Sequence, residues 1–171
     1  KVSPLYQKYT DARRMNPEQV SLSISSDSSV PDFLAKRLDE IKNEISIVQI
    51  GSNIHSINID DELKSKGLVI SSLDDALQNN SELIQKTLED SNSKEDKYTA
   101  LNNAAFNSGV FVHVPQNLTI DKPIHLISCL SLDGISTISR NMIIAEKIHK
   151  LQLYRNFMPQ KCQNNRHILN C

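Results

Sequence analysis

The sequence predicts an α+β unit that passes, without a linker, into a mainly β region. Three observations carry this expectation. The stretch PDFLAKRLDEIKNEI, residues 31–45, repeats apolar side chains at helical spacing. From Val110 the period falls to two: in VFVHVP, Val110, Val112 and Val114 share one side of a strand while Phe111 and His113 take the other. Pro115 and Pro123 cannot donate to a strand ladder, so they belong at strand starts, edges or corners. Short strands separated by corners fit a sandwich, a barrel or a β-helix, and the residues alone leave all three open.

Each element follows in order. Residues 1–30 are polar, with SLSISSDSS rich in serine, and read as an extended arm. In the first helix Leu34, Leu38, Ile41 and Ile45 form the apolar face, and Pro31 sits in the first turn. ISIVQIGSNIHSINID then gives two isoleucine-rich runs separated by GSN, a hairpin signal, and GLVIS is a further strand. SLDDALQ opens with Ser72 and Asp75 at capping-box spacing, and SELIQKTLED opens with Ser81 as an expected N-cap. A last helix over residues 94–107 places Tyr98, Leu101 and Ala105 on one face and stops at Gly109. LSLDGISTISRNMIIAE supplies two more extended runs around Asp133 and Gly134.

Composition narrows the function classes. With 171 residues and 39% hydrophobic content the chain is long enough for a real core. A formal charge of -1 gives no reason to expect nucleic acid or an anionic membrane across the whole surface. No apolar run reaches the roughly 18 to 20 residues of a membrane span, and the N-terminus lacks a secretory signal pattern, so a cytoplasmic protein is expected. Three cysteines, two of them near the C-terminus, form no disulfide framework.

Several segments together resemble the SufB/SufD family of iron–sulfur cluster assembly proteins. They are the aromatic-x-x-LN-x-A helix at residues 98–105, the G-V-F-V-x-V-P strand at 109–115, the proline-isoleucine strand at 123–126 and the R-N-M-I-I-A-E strand at 140–146. LYQKYTDARR near the start and GLVISSLDDAL at 67–77 are similar to the family as well. The resemblance covers residues 5–153, and the SufB-like and SufD-like alternatives both remain, with SufD favoured by the N-terminal unit.

The resemblance implies that the strands after Gly109 begin a right-handed parallel β-helix, incomplete here, which the helix at 94–107 would cap. The implied organisation is an arm (1–30), an α+β unit (31–107), the start of the β-helix (108–154) and a divergent basic tail (155–171). It also implies a scaffold or accessory subunit, not an enzyme, acting with SufB-like and SufC-like proteins, the SufC ATPase supplying ATP-driven motion. No cofactor is expected to be bound by this stretch itself, the cluster being handled by the full complex. No nucleic acid, membrane or small-molecule substrate is implied. Family members continue well past the 140–146 strand, and their functional cysteine, glutamate and histidine have no matching segment here, so a truncated or frame-disrupted SufD-like product is expected. With one or two coils only, disorder or aggregation is expected beyond residue 126. The alternative is a non-catalytic interaction module that uses the N-terminal unit and an exposed β-helix edge. A small metal-binding or hydrolytic enzyme is a third reading.

Individual residues point to little chemistry. Cys162, His167 and Cys171 form C-x4-H-x3-C, which His149 would complete as a zinc set, yet no C-x2-C pair is present and a solvated tail is expected. His113 and His125 lie in extended runs and read as outward-facing or hydrogen-bonded histidines. Cys129 reads as a buried small hydrophobe. Asp60, Asp61 and Glu62 stand at a helix start, where capping and dipole compensation are expected. The glycosylation-type matches at Asn79 and Asn117 are expected to be fortuitous in a cytosolic chain. Four glycines form neither G-x-x-x-x-G-K-[ST] nor G-x-G-x-x-G, so this chain offers no phosphate cradle of those kinds. The basic residues Lys147, Lys150, Arg155, Lys161 and Arg166 are only five charges, with Tyr154 and Phe157 among them, which argues weakly for nucleic acid.

Overall fold

A computed structural model describes residues 30–90, 102–129, 137–147 and 151–158. The expected arm over 1–29, Tyr98 and Leu101 of the last helix, the Asp133-Gly134 turn, and His149, Cys162, His167 and Cys171 lie outside the described residues.

Pro31, in extended conformation, precedes the first helix, α1 (Asp32–Glu40), and its carbonyl accepts from the N–H groups of Leu34 and Ala35. The proline therefore stands at the N-cap and not inside the first turn. The helix ends at Glu40, five residues short of the predicted end, because Ile45 opens a run of β-branched residues that pairs as a strand. Strands β1 (Ile45–Ile50) and β2 (Asn53–Asn58) form the expected hairpin, turning at Gly51, whose φ of 59° suits a residue without a side chain. A short helix α2 (Asp61–Ser65) leads to β3 (Val69–Ser72).

Ser72 then caps α3 (Leu73–Asn79): its Oγ accepts the Asp75 N–H at 3.0 Å, as the spacing predicts. Helix α4 (Ser81–Asp90) includes Ser81 as its first residue, so Asn80, not Ser81, precedes it. Residues 102–105 are helical, and the chain then enters β4 (Val110–Val114), turns a corner from Pro115 to Pro123, and continues as β5 (Ile124–Cys129). Strands β6 (Met142–Ala145) and β7 (Leu153–Met158) follow. β7 extends past Tyr154, into the stretch where the sequence shows no regular alternation.

The strands divide between two sheets, ordered β2-β1-β5-β7 and β3-β4-β6. The hairpin pair β1–β2 and the pair β3–β4 are antiparallel, whereas β1–β5, β5–β7 and β4–β6 are parallel. Chain direction thus alternates between sheets: β4 and β6 neighbour each other in one, β5 and β7 in the other.

Alternation sorts the apolar side chains into layers. Ile45, Ile47, Ile124 and Leu126 of the first sheet meet Ile70, Val110, Val112 and Val114 of the second, with Leu118 and Ile120 from the corner, in one central core. On the outer face of the first sheet, Val48, Ile50, Ile127 and Cys129 pack against Leu34 and Ile41 at and just beyond α1. On the outer face of the second, Phe111 and Met142 pack against Leu73, Ala76 and Ile84 of α3 and α4. Ile45 belongs to the central core and not to the α1 face, which corrects the four-residue apolar stripe drawn from spacing.

Candidate functional site

The stretch RNMIIAE, residues 140–146, gathers a set of specific polar contacts at both ends of β6. Before β6, the Arg140 N–H donates to the Ser108 carbonyl, and the Asn141 side-chain oxygen accepts the Val110 N–H at 3.1 Å. Asn107 returns the favour twice: its N–H donates to the Ile138 carbonyl and its side-chain oxygen accepts the Ile138 N–H. The Arg140 guanidinium lies 5.9 Å from the Phe106 ring centre and donates to the Asn103 side chain. After β6, the Glu146 N–H donates to the Val114 carbonyl, and Glu146 Oε2 accepts the Gln116 N–H at 3.1 Å. The segment is a clamp that fastens β6 to β4 at both ends.

Gly109 lies inside that clamp. A Cβ built on it would stand 2.0 Å from the Arg140 carbonyl oxygen, so a side chain is excluded by the neighbouring backbone. Its φ is not positive, and the glycine's role is close approach of two chain segments, not the helix stop inferred from its position.

The predicted histidines fall on opposite sheets. His113 Nε2 lies 3.0 Å from Glu146 Oε1, and this hydrogen bond, with the one from the Gln116 N–H, holds the Glu146 carboxyl below the usual carboxylate range. His125 is 5% exposed; its Nε2 is hydrogen-bonded to Glu44 Oε2 and its ring stacks on Tyr154 at 5.4 Å between centres. Both histidines are thus hydrogen-bonded strand residues. Glu44 and Tyr154 escaped the sequence reading, since they reach His125 only through the β1–β5–β7 register, from 81 residues away in the case of Glu44.

Cys129 is a buried thiol whose pKa burial pushes up, which suits packing against α1 and works against thiolate chemistry. The acidic cluster does not cap α2 through a side chain: Asp60 pairs with Lys122 at 2.8 Å, Asp61 with Lys64, and Glu62 with Lys66. The Lys66 ammonium holds the Glu62 carboxyl below its ordinary value. Asn79 and Asn117 are exposed, and Asn117 adopts a φ of 64° in the corner after β4. Among the described residues no three His, Cys, Asp or Glu side chains come together as a metal set. No described helix is long and apolar enough to cross a membrane.

The second feature is the β6–β7 edge of the two sheets. β7 and β6 are the last strands of their sheets, and no described strand lies beyond them. Ile143 registers with Val112 on the core side, yet it is 40% exposed where Val112 is 0% exposed. Ala145, in register with Val114, is exposed as well. The central core is therefore sealed through β4 and β5 and open at β6.

Comparison with known proteins bears on both features. Residues 34–126 match the family model described as the SufBD protein N-terminal region. The chain belongs to the SufBD family. It is 31% identical over 100 residues to an iron-sulfur cluster assembly SufBD family protein of Staphylococcus aureus strain USA300, and equally so to that of strain NCTC 8325. The corresponding Staphylococcus saprophyticus protein is 29% identical over 100 residues. In each case the match covers 58% of this chain and 22% of the relative, so it spans about a fifth of the relatives' length. The matched SufBD region takes in α1 to α4, β4 and the first half of β5, which is the sealed part of the core.

Proposed function

We propose that this SufBD chain is a non-catalytic structural part of an iron–sulfur cluster assembly scaffold, with the cluster as cargo of the assembly. The observation that carries this reading is the family match over residues 34–126, joined to a fold whose most elaborate polar contacts fasten one strand to another. The partners on this reading are a SufB-like protein and a SufC-like ATPase, in the cytoplasm, with SufD the nearer of the two family roles.

The strands after Gly109 are, on the same reading, the first turns of a right-handed parallel β-helix. Its support is the register: Phe111 pairs with Met142, 31 residues on, and Ile124 pairs with Leu153, 29 residues on, both in parallel. Two successive passes through the same pair of sheets at nearly equal spacing is how a solenoid winds. One such layer cannot bury its own inward side chains, and the exposure of Ile143 is what an unstacked layer leaves.

A second reading is favoured by that same exposed layer: an interaction module whose β6–β7 end binds another protein by strand addition. Co-purification of the full chain with SufB-like and SufC-like proteins from the same source separates the two. A stable complex with either supports the assembly role. Recovery of the chain alone, with both candidates folded and present in excess, removes it.

A further inference from the structure

Polar side chains collect at one end of the central core. On the first sheet the core-side series of β1 runs Ile45, Ile47, Gln49, and that of β5 runs Ile124, Leu126, Ser128, with Gln49 in register with Ser128. Gln49 also pairs with Ile54 of β2, which packs against the same core. On the second sheet the core-side series that continues as Val110, Val112 and Val114 begins at Ser108. Ser108 bridges in parallel to Ser139, and alternation brings Thr137 to the side of Ser139. The corner from Pro115 to Pro123 joins the end of β4 to the start of β5, and its Leu118 and Ile120 fill that end of the core. Ser108 and Ser128 therefore lie together at the opposite end.

Three oxygens at this polar end have no hydrogen-bond partner in the protein: Gln49 Oε1, Ser108 Oγ and Thr137 Oγ1. Gln49 is 1% exposed and Ser108 6% exposed, so neither reaches bulk solvent. The polar groups beside them are already engaged. Gln49 Nε2 donates to the Gly51 carbonyl at 2.8 Å, and Ser139 Oγ donates to Asn141 Oδ1, which also accepts the Val110 N–H. A buried oxygen left bare is costly, and three of them, from both sheets and at one end of a core, point to a shared occupant.

We propose that this end of the core is a binding site for ordered water, which bridges the two sheets through Gln49, Ser108 and Thr137. The inventory of donors and acceptors selects water. Gln49 Oε1 only accepts, so its partner donates, whereas the two hydroxyls both donate and accept. Water serves all three. A metal cation takes no proton from a hydroxyl, and none of Gln49, Ser108, Ser128, Thr137 and Ser139 is a carboxylate that would offset its buried charge. An anion is repelled by the Gln49 amide oxygen. The site thus gives the core a second seal: apolar side chains close the corner end, and bridged polar ones close the other.

The test uses the full chain with Gln49→Met, Ser108→Ala and Thr137→Val, each close in volume to the residue it replaces. Magnetic relaxation dispersion of the water oxygen reads long-lived buried water without interference from hydroxyl protons. The dispersion step of the parent chain is expected to shrink in the folded triple variant. An unchanged step overturns the proposal. Urea unfolding of the single variants decides the matter should the triple variant not fold. Ser108→Ala and Thr137→Val are each expected to lower the midpoint, and together by less than the sum of the two, because both hydroxyls hold the same water. Removing a bare hydroxyl would instead leave the midpoint unchanged or raise it, and that result overturns the proposal as well. Exchanging sodium for potassium or lithium chloride is expected to leave the parent midpoint where it is. A midpoint that follows the identity of the cation assigns the site to a metal ion and removes the water reading.

Discussion

At Gly109 the backbone of one strand passes so close to the next that an added Cβ would fall 2.0 Å from the Arg140 carbonyl oxygen and 3.1 Å from Leu73 Cβ. Neither neighbour yields easily, the first being main chain and the second a buried core residue. Gly109→Ala is expected to destabilise the fold by about 3 kcal/mol, as overpacking of a rigid site does, measured as a lower urea midpoint at unchanged slope. Glu146 offers a pH-dependent counterpart. Its carboxyl is held below the ordinary value by His113 and the Gln116 N–H, so its contribution to stability is fully present above the unfolded carboxylate value of about 4.3 and is lost as pH falls through the folded value. Glu146→Gln is therefore expected to lower the thermal midpoint at pH 7, and the gap to the parent chain should narrow as pH falls below the ordinary carboxylate range. A gap that does not narrow at all in acid would mean that the Glu146 charge contributes nothing to the clamp.

Among the elements, α3 is the one whose start is written in its sequence. Ser72 and Asp75 sit three apart, and the Ser72 Oγ accepts the Asp75 N–H as that spacing requires. Ser72→Ala should cost about 1 kcal/mol, and Ser72→Thr should restore most of it, since its hydroxyl can accept the same N–H and donate to the Asp75 carboxylate as Ser72 does. Thermal melts of the two variants read this directly. Other elements were legible to different degrees, for physical reasons. The alternation of Val110, Phe111, Val112, His113 and Val114 placed each residue on its correct face, because a strand covered on both sides shows two apolar sets in strict register. The end of α1 was misjudged, because Ile45 continues the helical spacing by coincidence while its side chain belongs to the other face of the first sheet. Local sequence held no sign of the Glu44–His125–Tyr154 contact. It arises from pairings between strands far apart in the chain, which local spacing does not encode.

Across the whole molecule, pairing is uneven, and this gives the solenoid reading its sharpest consequence. β5 is bonded on both sides, to β1 and β7, and β4 on both sides, to β3 and β6, whereas β6 and β7 each have one described partner. β1 is likewise bonded on both sides, to β2 and β5, so amide exchange should be slowest in β1, β4 and β5 and faster by at least about tenfold in β6 and β7, whose opening exposes less surface than opening the sealed core. Extending the chain with the segment that follows the matched region in the Staphylococcus aureus relative would, on a solenoid, lay new strands on β6 and β7. Protection should then rise selectively in residues 142–145 and 153–158 and stay unchanged in β1 and β2. If exchange in β6 and β7 is already as slow as in β5, the end is sealed without further layers. If the extension slows no amide there, the added chain folds elsewhere, and the parallel pairings at 29 and 31 residues belong to a closed two-sheet domain instead of a winding one.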